Sequence, residues 1–450
     1  MAENRISMEH LLPINNEGIG DEELAFAASV RTWAEREVIS RRQSLRGDLQ
    51  SGAADRQFDL LLRPALRSLM LDLGLQTHLW PGDGQSPPEA AMTLALALEQ
   101  VGRADAGLGF VATSYLATAA AAVGRLSLAD VASLLCPAGD EAIVALVLPS
   151  LSQDEGRGPF VRSAHPPHRT TIGGWRLQAW ARLEGGDYVV QGQNVQPLGS
   201  GQDATLFAVL CQLDGDGLSA PPTRPTGPQL RSSRPDGALR DEAAQFGLLL
   251  VPADAAGVRR GAAIRRTGLA AARNAPVSFE AAGARLALEG PEGHNALRTW
   301  LCLGMAATCS GALLAGLEIL EGWAESRVIK GRGQRFVDNS LVAALMAEQV
   351  ERATLARLAL RDLARLMSRA GRQGDEPVLL TALTIAHHVA AQAAAGLGHA
   401  MELMGSAGYA TEWNLERCWR DVRTLQALIG SPVLHRLELA RHCFGHREGM

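Results

Sequence analysis

The chain has 450 residues, too many for one ordinary hydrophobic core, so two or three packed units are expected. Apolar residues make up 47% and charged residues 20%, a soluble globular composition. The net charge of −5 and the 4% aromatic content offer neither a basic surface nor a stacking platform for nucleic acid.

The first residues, Met1 to Leu12, are polar and acidic where an export signal needs an apolar core, so a cytoplasmic protein is expected. No apolar run reaches membrane-spanning length without a charge. The longest, Ala90 to Val123, is interrupted by Glu99, Arg103 and Asp105. The cysteines (136, 211, 302, 309, 418 and 443) include no C-x-x-C pair, so neither zinc nor a disulfide framework is indicated, and reduced, mostly buried thiols are expected.

Residues 1–139 read as a helical unit. Glu22 to Ile39 is amphipathic, and Phe58 to Leu75 sets leucines at helical spacing. Trp80 to Gly84 is a turn cluster. Ala90 to Gly102 and Leu108 to Val123 follow as alanine- and leucine-rich helices.

Residues 140–290 change period. Ala142 to Leu148 is a short apolar run ended by proline, which suits a buried strand. Trp175–Leu183, Tyr188–Gln191, Thr205–Leu213, Phe246–Val251 and Ala275–Glu280 are further short strands punctuated by glycine or aspartate. Their number and turn signals predict a β-barrel or sandwich. Within this zone, about 214–241 is rich in Pro, Gly, Ser and Arg and reads as a surface loop.

Residues 291–450 are helical again. Ala296–Arg327 carries small residues that permit close helix approach. Leu341–Met367 repeats apolar residues every three or four positions, with Glu348 and Arg352 at i,i+4. Its Arg357–Arg361–Arg365 stripe reads as a solvated face. Val378–Met404 and Val433–Cys443 complete the set. Helices, then strands, then helices predict an α+β chain: an N-terminal helical domain, a middle β-barrel or sandwich, and a C-terminal four-helix bundle.

That order resembles the acyl-CoA dehydrogenase family, and local sequence agrees. Leu94 to Asp105 is similar to the family's helix ending in E-x-x-G-R-x-D. Gly186 to Gly192 resembles its middle-domain hairpin, and Leu250 to Asp254 a strand that follows. Glu402 to Tyr409 resembles its QLxGGxGY, Glu416 to Asp421 its ERLYRD, and Leu437 to Gly445 its last helix. The resemblance implies FAD at a dimer interface and oxidation of an acyl-CoA thioester between Cα and Cβ. A carboxylate base, a hydride-accepting flavin and hydrogen bonds to the thioester carbonyl would do this.

The family's base positions carry no carboxylate here. The alignment sets Leu428-Ile429-Gly430-Ser431 on the usual Y-E-G-T, replacing the glutamate by Ile429. The alternative base position, on the first helix of the last domain, falls on Leu301. The flavin motifs are thinned as well. Val147 to Asp154 lacks the expected threonine and glutamate. Gln196 to Gly201 lacks the tryptophan, brings in Pro197, and leaves Ser200 as its hydroxyl. The implied cofactor-binding residues are Arg327 and Phe336, from an R-x-x-F-G loop with Gly331, Gly333 and neighbouring cations, together with Gly405, Gly408, Ser200 and Ser431. No replacement base is named: His387, His388 and His399 lie on one helix, His435 follows Ile429 by about one turn, and Glu412 and Asp421 match structural family positions.

Three functions stay open at this stage: an acyl-CoA dehydrogenase-family oxidoreductase, a non-catalytic subunit paired with a related chain, and a flavin-free acyl-CoA-binding protein or lyase. A homo- or hetero-oligomer is implied by the resemblance.

Overall fold

The computed structural model describes residues 18–45, 54–76, 90–122, 126, 133–137, 139–149, 171–172, 175–214, 246–331, 333–370 and 374–444. The turn expected at 80–84, the end of the 147–154 stretch and nearly all of the 214–241 loop lie outside them.

Helix α1, Asp21–Trp33, opens with Asp21, Glu22 and Glu23, which suit the positive end of the helix. The Glu23 carboxylate accepts the Gly20 N–H at 2.7 Å. Helix α2, Ala91–Ala104, and helix α3, Ala106–Ala122, are buried nearly all round, as their lack of a polar face requires. Asp105 separates them. Its extended backbone, at φ −160°, ends α2, and its carboxylate accepts the Leu108 N–H at 3.1 Å to start α3.

The long helix α4, Gly290–Ser326, crosses both at short range through small residues. A Cβ at Gly102 would lie 2.5 Å from the Thr308 carbonyl oxygen, and one at Gly304 would lie 2.5 Å from the Thr113 side chain. At Gly311 it would overlap the Glu99 carbonyl. The close helix approach predicted from the small residues is present.

Among the described residues, nine strands follow α3. They are β1 Val144–Val147, β2 Thr171–Ile172, β3 Trp175–Arg176, β4 Ala179–Glu184, β5 Asp187–Val195, β6 Leu206–Asp214, β7 Phe246–Pro252, β8 Val258–Arg260 and β9 Val277–Glu289. The order β6-β4-β5-β9-β7 closes on itself because β7 also pairs with β6, so the strands form a small barrel. Strand β1 pairs with β6 in parallel, and β2 and β3 make a separate ribbon. In β6, Phe207, Val209 and Cys211 point into the barrel core, while Leu206, Ala208 and Leu210 join the helical core. Two buried faces explain the unbroken apolar run there, as they do in β7. The strand expected over Trp175–Leu183 is split at Leu177 and Gln178. The one expected over Ala275–Glu280 runs on to Glu289, past a left-handed Ala281.

After α4 come α5, Ser340–Ala370; α6, Glu376–Met404; α7, Leu415–Ile429; and α8, Pro432–Phe444. Helices α4 to α7 pack into the bundle, and α8 lies against α6. The segment read as the E-R-x-x-R-D motif is thus a full helix, α7.

Two sequence expectations are corrected. The Arg357–Arg361–Arg365 stripe is not a solvated face: Arg357 is 7% and Arg361 3% exposed, and Arg357 pairs with Glu99. The longest apolar stretch is not 90–123. Residues 292–326 and 376–409 are long and apolar enough to cross a membrane, but 94% and 56% of their most apolar windows are buried inside the protein. For α4 this is what a core helix requires.

Candidate active-site cleft

A cleft of about 670 Å³ opens between the barrel and the bundle, within the range of small-molecule sites. Leu148, Pro149, Gln178 and residues 196–198 line its barrel side. Helix α4 contributes Arg298, Leu301, Cys302 and Met305, helix α6 contributes Leu379, Leu380 and Leu383, and residues 427–431 close the far wall.

Three of the sequence-derived site residues meet here: Leu301, Ile429 and Ser431. Both positions assigned to a base are therefore in the cleft, and both hold alkyl side chains. Gly430, with φ +118°, ends α7 and turns the wall. The Ser431 hydroxyl accepts the Leu434 N–H at 3.4 Å and so helps start α8.

The other five do not line the cleft. Ser200 is 1% exposed, held at φ +61°, and its buried hydroxyl has no partner among the described residues. Arg327 is exposed at the end of α4. Phe336 packs edge-on against Trp323, with ring centroids 5.0 Å apart. Gly405, at φ +60°, ends α6. Gly408 is required by the Met401 backbone, whose carbonyl oxygen would sit 2.5 Å from any Cβ. Arg327, Phe336 and the 405–409 turn are instead parts of the bundle's loops and helix ends.

The histidines considered as bases are accounted for differently. His435 stacks on His387 at 5.1 Å and meets the Thr384 hydroxyl at 3.0 Å, behind the cleft wall. Burial, then His435 and the guanidinium groups of Arg298 and Arg436, push His387 down to about 4. Asp421 is structural: its carboxylate accepts the Leu269 N–H at 2.6 Å and approaches Arg417 at 3.4 Å. Asp203 pairs with Arg273 and Asp338 with Arg335.

The cleft also holds polar residues that sequence reasoning missed. Arg266 and Arg298 line it, as do His294, Glu376 and His442. Glu376 meets His442 at 3.2 Å. Burial, and secondly Arg298, push His294 down to about 3, so it is neutral at pH 7. Isolated arginines and histidines carry no local spacing signal, and only the fold gathers them.

The wall assigned to a flavin ring engages backbone donors internally. The Gln196 N–H goes to the Gln178 side chain at 2.8 Å, the Leu198 N–H to the Leu146 carbonyl at 2.8 Å, and the Ser200 N–H to the Ala272 carbonyl at 3.4 Å. Pro197 has no N–H. The Gln178 amide in turn donates to the Leu148 carbonyl at 2.7 Å. The Ser200 hydroxyl is unpaired among the described residues but is buried and does not line the cleft, so this wall does not fit a flavin ring, which needs donors facing its carbonyl oxygens.

A closed barrel between two helical units, with a cleft at the barrel–bundle junction, defines the acyl-CoA dehydrogenase fold. Residues 299–444 match the family model for the acyl-CoA dehydrogenase C-terminal domain. The bundle is thus similar to the acyl-CoA dehydrogenase C-terminal domain, and the whole chain has the fold of solved acyl-CoA dehydrogenases. Among solved structures, glutaryl-CoA dehydrogenase from Mycobacterium smegmatis is 16% identical at a TM-score of 0.72, covering 99% of this chain and 100% of that one. Butyryl-CoA dehydrogenase from Megasphaera elsdenii is 15% identical at 0.70, covering 95% and 99%. A glutaryl-CoA dehydrogenase from Mycobacterium smegmatis in complex with FADH2 is 17% identical at 0.68, covering 95% and 96%. At these identities the likeness is one of fold. No curated protein matches the sequence.

Proposed function

We propose that this chain binds an acyl-CoA thioester in the barrel–bundle cleft and does not by itself carry out α,β-oxidation. One observation carries the reading: Leu301 and Ile429, the two positions assigned to a base, both stand in the cleft wall. Neither alkyl group can take a proton from Cα. The leucines of α4 and α6 and Leu428 supply an apolar wall for an acyl chain.

Oxidation with FAD, the activity the family resemblance implies, is the second reading. In it this chain acts as one member of a heteromeric pair whose partner supplies the base. What favours it is the loop from Arg327 to Phe336. Arg327, Lys330 and Arg335 are exposed beside Gly331 and Gly333, and both glycines have positive φ. Such a loop can present backbone N–H groups and cations to a diphosphate held by a neighbouring subunit.

The absorption spectrum of the purified protein separates the two, measured alone, with FAD, and with a co-expressed glutamate-bearing relative. The first reading expects no flavin bands from this chain alone and saturable binding of an acyl-CoA. Stoichiometric flavin only with the relative supports the paired-subunit reading. Flavin bound by this chain alone, with reduction on adding acyl-CoA, would sink the first reading.

A further inference from the structure

Helix α8 is held to the rest of the protein by a histidine. A surface helix ordinarily docks through an apolar stripe. The helical core reaches Leu428 and Ile429 and stops there, and no described residue of α8 belongs to it. Val433 is 44% and Phe444 85% exposed. Among the described residues of α8, His435 alone is buried. Its ring stacks on the buried His387 of α6, with centroids 5.1 Å apart and planes 23° from parallel. The second tie between the two helices is His442 to Glu376, at 3.2 Å. Both of those side chains are exposed, and such a pair contributes little.

The stack has no place for a further proton. The Thr384 hydroxyl gives its single proton to the Leu380 carbonyl at 2.8 Å, so it is left to accept from His435 Nε2 at 3.0 Å. Docked His435 is therefore the Nε2–H tautomer, and a second proton must enter at Nδ1. That atom is buried and faces no partner among the described residues. After burial itself, the groups that lower His435 are both cations, Arg298 of α4 and Arg436 of α8. Burial, then His435 and the same two guanidinium groups, bring His387 down to about 4. A charged imidazole here would have neither an acceptor nor a counter-ion among the described residues.

We propose that α8 is an acid-released flap over the cleft: the His435–His387 stack docks it while both rings are neutral, and protonation lets it swing away about Gly430. Gly430, at φ +118°, is the joint between α7 and α8, in a conformation that glycine adopts freely. Ser431, just before α8, and His442, within it, both line the cleft, so the departure of α8 removes part of the far wall. The sign follows from the two states. Released histidines return to the ordinary value of 6.5, and docked ones lie lower. Between those values the released helix holds the proton and the docked one does not. Docking is therefore complete above about pH 6.5 and weakens as pH falls toward the docked values, by up to about tenfold per pH unit for each histidine. The device stands on helix contacts and goes beyond the thioester reading.

The test places a nitroxide on Cys443, the exposed cysteine of α8, in the full chain. Cys136→Ser keeps the half-buried Cys136 from taking the label. Label mobility is followed from about pH 7.5 to 5, with near-ultraviolet circular dichroism reporting global unfolding. The mobile fraction should rise below about pH 6.5, before the tertiary signal is lost. His435→Gln still donates to Thr384 but does not titrate, and should flatten most of the rise. Arg436→Gln removes a cation that opposes protonation of the docked stack, and should move the release to lower pH. Thermal midpoints at neutral pH identify any variant that fails to fold. A label that stays ordered throughout, loosens only with global unfolding, or loosens identically in His435→Gln overturns the proposal. The opening of the cleft is read from the rate at which a four-carbon acyl-CoA leaves, which should quicken in step with the label. A label that loosens while the thioester leaves at one unchanged rate overturns the flap. A thioester that binds at no pH sinks the thioester reading instead, and the label alone then decides the release.

Discussion

Arg357 and Glu99 meet 258 residues apart in sequence, with Nη2 of one 2.9 Å from Oε2 of the other and both side chains buried. The Ser310 hydroxyl donates to the same carboxylate at 2.7 Å. One ion pair thus joins α2 to α5, with α4 supplying the third contact.

Removing Glu99 should be severe. Arg361, close behind Arg357, is pushed down to about 10 by burial and by Arg357, with Glu99 opposing the shift. Glu99→Ala leaves two guanidinium groups buried together and is expected to destabilise by about 3–5 kcal/mol. Urea unfolding of both proteins measures it. A difference under about 1 kcal/mol would show that the pair is not a structural joint.

Gly311 should not tolerate a methyl group. A Cβ there would overlap the Glu99 carbonyl and lie 2.6 Å from the Arg103 nitrogen, both backbone atoms that can move only if α2 shifts. Gly311→Ala is expected to cost at least about 1–3 kcal/mol, the usual range for overpacking, despite alanine's better helix propensity. Gly322→Ala on the same helix meets open space and serves as the control, with unchanged or slightly higher stability.

Acid should destabilise the fold through its buried histidines. Folded His294 sits at about 3, against 6.5 when free, chiefly from burial and then from Arg298. Between those values the unfolded chain holds the proton and the native chain does not. Its contribution is therefore fully present above pH 6.5 and is lost as pH falls toward 3, at up to about 1.4 kcal/mol per pH unit. His387, at about 4, adds to the same trend above that pH. Urea midpoints from pH 7 down to 4 should fall, and His294→Leu should make the fall shallower. An unchanged slope in the variant would remove His294 from the account.

Ile429→Glu should create a base where the cleft lacks one. The new carboxyl would share the cleft wall with Leu301, Leu428 and Leu383, whose burial raises its pKa, and with Arg298 and Arg266, whose charges lower it and favour the carboxylate that acts as base. With a four-carbon acyl-CoA in heavy water, the variant is expected to exchange the α-proton at least about 100-fold faster than the natural chain. Mass spectrometry of the recovered thioester reads this directly. Rapid exchange by the natural chain would mean that another group already serves as base.

The parts of this protein legible in sequence are those that local pattern determines. The apolar runs of β6 and β7 have two buried faces, and their composition alone marks them as interior. The glycine- and alanine-rich α4 announces close packing without naming its neighbours. The Arg357 stripe misleads because its spacing is that of a solvated helix face, and its partner lies on another unit. The cleft is legible where family motifs reach it, at Leu148, Pro149, residues 196–198, Leu301 and residues 428–431. Arg266 and Arg298 leave no trace in the sequence. What distinguishes them is that no described residue pairs with them, and that is a property of the folded state.

Asp105 accepts from Arg42 at 2.6 Å and from Arg417 at 3.2 Å, and Arg103 reaches Glu318 at 2.7 Å. Together with Glu99, the contacts to Glu318, Arg357 and Arg417 tie the C-terminal half of α2 and Asp105 to α4, α5 and α7. During synthesis, the early helices carry carboxylates destined for an interior that does not yet exist. They must stay hydrated until α4, α5 and α7 have been made. The N-terminal helices of this protein therefore do not finish folding on their own schedule: their last contacts wait until α7 has been made.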